Sequence, residues 1–171
     1  RISINAALTG HMVLSTIHTN DAVTAIPRLA DMGIESYLIA STVSLVIAQR
    51  LAKRLCQECK EKVKMKAEDY EELKRLRPDI AKLLKQTDDT YISKGCAKCS
   101  KLGYKGRVGL YELLEIDREM RDVIAKNSSA DILQEVAKKN GLVTIMEDGV
   151  MKLKQGLISL DELIKVTALH E

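Results

Sequence analysis

Cys56-Gln57-Glu58-Cys59 and Cys96-Ala97-Lys98-Cys99 contain every cysteine of the chain, and residues 60–95 lie between them. A C-x-x-C turn points both of its sulfurs the same way, so two such pairs present four thiolates to one tetrahedral Zn²⁺. Four protein ligands fill the coordination shell, which makes the expected ion structural, with no open position for catalysis. The other readings of four cysteines are two disulfides or four free thiols. No stretch reads as an export signal, and without one the cytosol is the default, where C-x-x-C pairs favour metal over disulfide. A structural zinc would contribute on the order of 10 kcal/mol to folding at neutral pH. The interval is longer than in a compact zinc ribbon, so residues 56–105 read as an inserted metal-stapled unit between 1–55 and 106–171.

The chain has 171 residues, 46% of them hydrophobic, with no Phe or Trp and five Tyr. Its core must therefore be aliphatic. The net charge of +3 argues against a dedicated DNA-binding face, and the scarcity of aromatics argues against a single-strand stacking platform. The most apolar stretch, residues 37–48, carries Ser41, Thr42 and Ser44 and is too short to span a bilayer. The first residue is Arg1 rather than Met, so the sequence reads as a fragment.

Met12-Val13-Leu14-Ser15-Thr16-Ile17 has the composition of a buried strand. Asn20 and Asp21 then open a helix that runs to about Met32 and stops at Gly33, with a kink expected at the internal Pro27. Ser36 opens a second helix to about Arg50, apolar on nearly all sides. Residues 60–94 are polar, with Lys60, Lys62, Lys64 and Lys66 in alternation, a charged helix over 68–77 in which Glu71 can pair with Arg75, and a short helix opened by Pro78. This insertion is expected to bury little by itself. Gly103 to Leu114 reads as a turn and a strand. Helices follow from Asp117, from Ser129 to Asn140-Gly141, from about Leu142 to Gln155, and from a capping box at Ser159-Leu160-Asp161-Glu162. The fold class is α/β, predominantly helical.

His18 lies at the carboxyl end of the expected strand and just before a helix N-terminus, a place that favours phosphate. From position alone, a histidine hydrogen-bonded to a neighbouring loop is the commoner reading. His11 follows Gly10 at a helix end, and His170 reads as solvated. Arg50 and Arg54, four residues apart, could lie on one helical face and reach a phosphate, as could Arg107 between its glycines; surface or ion-pair roles are the commoner reading of these residues. The lysines from 60 to 66 read as a solvated face that could also touch acidic partners or lipid head groups.

Ala6-Ala7-Leu8-Thr9-Gly10-His11-Met12-Val13-Leu14-Ser15-Thr16-Ile17-His18-Thr19-Asn20-Asp21-Ala22 resembles the histidine box of the secretion superfamily of hexameric ATPases. The likeness continues through residues 28–34, through Ala48-Gln49-Arg50-Leu51 to the first cysteine pair, through 103–112, and through the tail from Glu147 to Thr167. The cysteine pairs narrow the resemblance to the type II secretion and type IV pilus assembly ATPases, since pilus retraction ATPases have the box but not the cysteines. The resemblance implies the C-terminal part of a RecA-like core in 1–55, a zinc subdomain in 56–105 with Cys56, Cys59, Cys96 and Cys99 as ligands, and a strand with a C-terminal helical subdomain in 106–171. It also implies ATP and Mg²⁺ as cofactors of the intact protein. The implied assembly is a cytoplasmic homo-hexamer on an inner-membrane platform protein, peripheral to the membrane, with no nucleic acid as partner. His18 and His11 match the two box histidines, His18 being the one near the γ-phosphate, and Arg50, Arg54 and Arg107 match family arginines.

Two elements of phosphoryl transfer are missing from these 171 residues. No G-x-x-x-x-G-K-[ST] phosphate loop occurs, and no apolar strand ending in acid precedes Ala6. Both are expected upstream of Arg1, so the fragment is expected to be inactive alone. A zinc-ribbon module that binds protein or nucleic acid without NTPase ancestry is the alternative function, and a dithiol redox protein is a third.

Overall fold

The computed structural model describes residues 2–168, so His170 lies outside them. The chain forms two compact units. Unit 1 is Arg1–Ala48 with Glu112–Thr144, and unit 2 is Gln49–Tyr111 with Ile145–Glu171.

Unit 1 begins with helix α1 (Ile2–Leu8), in line with the helix end read at Gly10-His11, where Gly10 has φ +87°. Residues 11–19 follow without regular structure. The strand expected at 12–17 does not form. Met12 and Leu14 are 92% and 91% exposed, and neither sheet among the described residues includes the segment. A strand needs a neighbouring backbone to take up its N–H and C=O groups, and composition cannot substitute for that neighbour.

Helix α2 (Ala25–Asp31) starts later than expected because Asp21 Oδ1 accepts the Thr24 N–H at 2.7 Å, turning residues 21–24 before the helix. Pro27 thus falls in the first turn, where its missing donor costs nothing, and no kink is needed. The helix ends as expected: Gly33, at φ +78°, donates its N–H to Ala30 O at 2.8 Å.

The long helix expected from Ser36 to Arg50 is two elements. Helix α3 covers Ser36–Thr42; Val43 is extended (φ −80°, ψ 127°), and strand β1 runs over Leu45–Leu55. Apolar residues on all sides fit both a buried helix and a helix followed by a strand. The β-branched Val43, Val46 and Ile47 tip the balance, with strand β4 (Tyr104–Glu115) as hydrogen-bonding partner of β1. Helices α6 (Arg118–Ala125) and α7 (Ala130–Lys139) complete unit 1. Asp117 caps α6 by accepting the Met120 N–H at 2.8 Å. The core gathers Val23, Ile26, Ile39, Leu114, Met120 and Ile124, each contributing about 1.5–3 kcal/mol through burial.

Unit 2 contains the insertion. Strand β2 (Lys60–Lys64) pairs antiparallel with β3 (Asp89–Ser93) in the register Lys60↔Ser93, Lys62↔Tyr91, Lys64↔Asp89. Helices α4 (Ala67–Leu76) and α5 (Pro78–Ala81) lie between these strands in sequence, close to their expected bounds. Glu71 pairs with Lys74 at 2.7 Å, one residue short of the expected Arg75. The insertion buries more than its composition suggests: Leu73, Ile80, Ala81 and Leu84 are all buried. Helices α8 (Ile145–Lys154) and α9 (Leu160–Thr167) belong to the same unit. The Arg77 guanidinium grips Asp79 and donates to Ile164 O at 3.2 Å and Thr167 Oγ1 at 3.1 Å. Lys154 pairs with Asp88 at 2.9 Å.

Ser159 caps α9 by accepting the Glu162 N–H at 3.2 Å. Only half of the expected capping box is present, because the buried Glu162 carboxylate accepts the Lys53 N–H instead, at 2.7 Å. Among the described residues no helix is long and apolar enough to cross a membrane.

Candidate metal centre

The four cysteines come from two backbone turns of unit 2. In the first, the Cys59 and Lys60 N–H groups donate to Cys56 O at 3.3 and 3.0 Å. In the second, a 3₁₀ turn at Ala97–Cys99 leads to Lys101, whose N–H donates to Cys96 O at 2.8 Å. Cys56 N–H reaches Gly103 O at 2.9 Å, tying the two turns together. Leu55 and Cys56, at the end of β1, are buried, which fixes the first pair against the unit's interior.

The sulfurs of Cys56 and Cys96 are 3.9 Å apart, those of Cys59 and Cys99 3.8 Å, and those of Cys96 and Cys99 3.8 Å. All four lie within 4.8 Å of one another. A tetrahedron with metal–sulfur bonds of about 2.3 Å has edges of about 3.8 Å, which three of the sulfur separations match. None of the cysteines is disulfide-bonded. The donor set fits Zn²⁺: four soft ligands, tetrahedral spacing and a full shell. Bound there, the ion would crosslink residues 40 positions apart in sequence.

The surroundings differ between sulfurs. The Cys99 thiol is drawn down to about 6, first by the Cys96 N–H at 3.1 Å and also by the Gly103 N–H at 3.3 Å. Both donors stabilise a thiolate. At Cys59 the largest single influence is the Ser93 hydroxyl, 3.1 Å from its sulfur, which lowers the value. Burial and the three neighbouring thiols outweigh it and push Cys59 up to about 11. Without an ion the four sulfurs cannot all carry charge so close together; a dication removes that conflict.

The other expected site residues do not join this cluster. His11 and His18 belong to unit 1 and are exposed. His11 closes α1, its N–H on Ala6 O at 3.1 Å and its Nδ1 3.0 Å from Thr9 Oγ1. His18 stands in the irregular segment before the 21–24 turn. Arg50 and Arg54 lie on strand β1 rather than a helix, so four residues separate them by about 13 Å instead of one helical turn. Arg50 is half-buried, while Arg54 and Arg107 are exposed. Ser93 and Glu112 escaped the sequence reading. Glu112 is 3% exposed and accepts the Ala22 N–H at 2.9 Å, anchoring the end of the histidine-bearing segment from 90 positions away in sequence. A glutamate among the apolar residues of the expected strand, between Tyr111 and Leu113-Leu114, was the available signal.

A model of the type II/IV secretion system protein family matches residues 1–165. The chain belongs to this family. Among secretion system proteins it is 42% identical over 167 residues to the type IV pilus assembly ATPase PilB of Thermus thermophilus, covering 98% of this chain and 18% of that protein. It is 40% identical to the type II secretion system ATPase E of Vibrio cholerae, covering 98% of this chain and 32% of that protein. The chain thus spans less than a third of the length of these relatives. Two solved structures share the fold: the pilus retraction motor PilT with bound ADP, with a TM-score of 0.61, 22% identity and coverage of 98% of this chain and 36% of that one, and the Legionella pneumophila ATPase DotB, with a TM-score of 0.56, 21% identity and coverage of 96% and 34%.

Proposed function

We propose that this chain is the C-terminal part of a hexameric ATPase that powers pilus assembly or type II secretion. The reading rests on identity of about two residues in five, across nearly the whole chain, with proteins named as those ATPases. In this reading 1–55 is the C-terminal part of a RecA-like core, 56–105 a zinc subdomain and 106–171 a strand with a helical subdomain. The parent protein is cytoplasmic and works at an inner-membrane platform protein. Cys56, Cys59, Cys96 and Cys99 hold a structural zinc. ATP and Mg²⁺ bind chiefly through the phosphate loop and acidic strand of the parent, and this chain adds His18, with His11, as a reporter on the γ-phosphate. Arg50, Arg54 and Arg107 are its candidate nucleotide or intersubunit arginines.

The test is ATP turnover. The purified chain should hydrolyse ATP only at background, and the longer protein well above it. In the longer protein, His18→Ala should lower kcat while changing ATP affinity much less. Turnover by the chain alone would overturn this division of labour. Equal loss of affinity and rate would reduce His18 to a ground-state contact.

A further inference from the structure

Ser93 closes β3, the last element of the 60–94 insertion, and its hydroxyl stands 3.1 Å from the Cys59 sulfur. Among the described residues it is the one side chain, apart from the cysteines themselves, that reaches a sulfur of the cluster. Its place there follows from strand register. Cys59 immediately precedes β2, and Lys60 pairs with Ser93, so the first rung of the ladder brings the serine beside the cysteine. Ion pairs hold that rung. Lys94 meets Glu61 at 2.8 Å and Lys62 meets Asp89 at 2.6 Å, and Thr90 Oγ1 donates to Val63 O at 3.3 Å. A slip of one residue would bring Ile92 or Lys94 to the site, and neither offers a short hydroxyl. Gly103 also lies close to Ser93: a Cβ at Gly103 would sit 3.2 Å from both Ser93 Cβ and Oγ, so the glycine leaves room for the serine side chain.

We propose that Ser93 is a positioning residue for the metal centre, one that ties the insertion to it. The inference rests on the zinc reading. With the ion bound, Cys59 is a thiolate and can only accept, so the hydroxyl donates. Four thiolates around a dication leave net negative charge on sulfur, and donors to sulfur stabilise it. Cys99 receives two backbone N–H groups for that purpose, and Cys59 receives the serine. Removing the hydroxyl leaves Cys59 the more electron-rich and less restrained ligand.

The experiment compares the wild-type chain with Ser93→Ala and Ser93→Thr. Its readouts are zinc content, zinc affinity by chelator competition, the sulfur-to-metal charge-transfer band after cobalt substitution, and the order in which an alkylating agent labels the cysteines. Ser93→Ala should lower zinc affinity by about 10- to 100-fold, shift the charge-transfer band and make Cys59 the first cysteine labelled. Ser93→Thr, which keeps the hydroxyl, should restore all three. A wild-type chain that binds no stoichiometric metal overturns the zinc reading and this inference together. A metal-loaded Ser93→Ala with unchanged affinity, band and labelling order overturns this inference alone, as does a threonine variant that behaves like alanine.

Discussion

Asp79 shows how one side chain can hold an insertion whose charged sequence reads as solvated. Its carboxyl is held below its ordinary value of 3.8, first by the Arg77 guanidinium, whose Nη2 lies 2.7 Å away, and also by the backbone at Ile80. Oriented by that carboxylate, Arg77 reaches the last carbonyls of α9, where a positive charge also complements the helix dipole. The sign of the linkage follows from the depressed value. The unfolded carboxyl takes up its proton first as pH falls, so the stabilisation is fully present above about pH 4 and is lost as pH drops through the folded value. Denaturation of wild type and Asp79→Asn from pH 7 to pH 2 should give a constant difference down to about pH 4 that closes below it. A difference independent of pH throughout would show that Asp79 acts by packing and not by charge.

At the scale of elements, the second cysteine turn depends on backbone that only glycine adopts without strain. Gly95 has φ +82°, and a Cβ there would sit 2.4 Å from Lys101 O, which belongs to the backbone and cannot swing aside. Gly95→Ala should therefore cost at least about 1–2 kcal/mol from the left-handed conformation alone and open the turn that aims Cys96 and Cys99. The expected outcome is weaker zinc retention against a chelator, with the thermal unfolding of unit 1 unchanged. Wild-type zinc affinity in that variant would show that the turn relaxes freely. Element types were otherwise readable where periodicity was long or punctuation strong: α4, α5, α6 and α7 stand near their expected bounds, with Pro78, Asp117 and Gly141 marking their ends. They were not readable at 12–17 and 43–50. There the residues suit a strand in both cases, yet only 45–55 has β4 beside it.

For the molecule as a whole, the four-cysteine cluster belongs to a unit built from distant parts of the chain. The expected division between 56–105 and 106–171 puts the cysteines and the C-terminal helices in different subdomains. In the structure α8 and α9 share unit 2 with the cysteines. The Leu55 N–H donates to Leu157 O at 2.8 Å, and Lys60 Nζ donates to Gly156 O at 3.0 Å, just beside Cys59. Metal removal should therefore raise hydrogen exchange through residues 49–111 and also through 145–167, while α2, α3, α6 and α7 of unit 1 stay protected. Loss of protection confined to 56–105 would show that the two helices hold unit 2 without the ion.

The sequence alone determined the candidate metal ligands and the family resemblance. The spacing within a C-x-x-C pair is local geometry, and four cysteines without a fifth leave one obvious set. It also determined most helix ends, because caps, prolines and glycines act within a turn of where they stand. Tertiary structure decided the rest: that 45–55 is a strand while 12–17 is irregular, that Glu112 anchors Ala22, that Glu162 turns from its own cap to the Lys53 N–H, and that Ser93 reaches Cys59. Each of these depends on which backbone or side chain lies opposite, from 34 to 109 positions away in sequence for the three side-chain contacts, and no local pattern encodes a neighbour that distant.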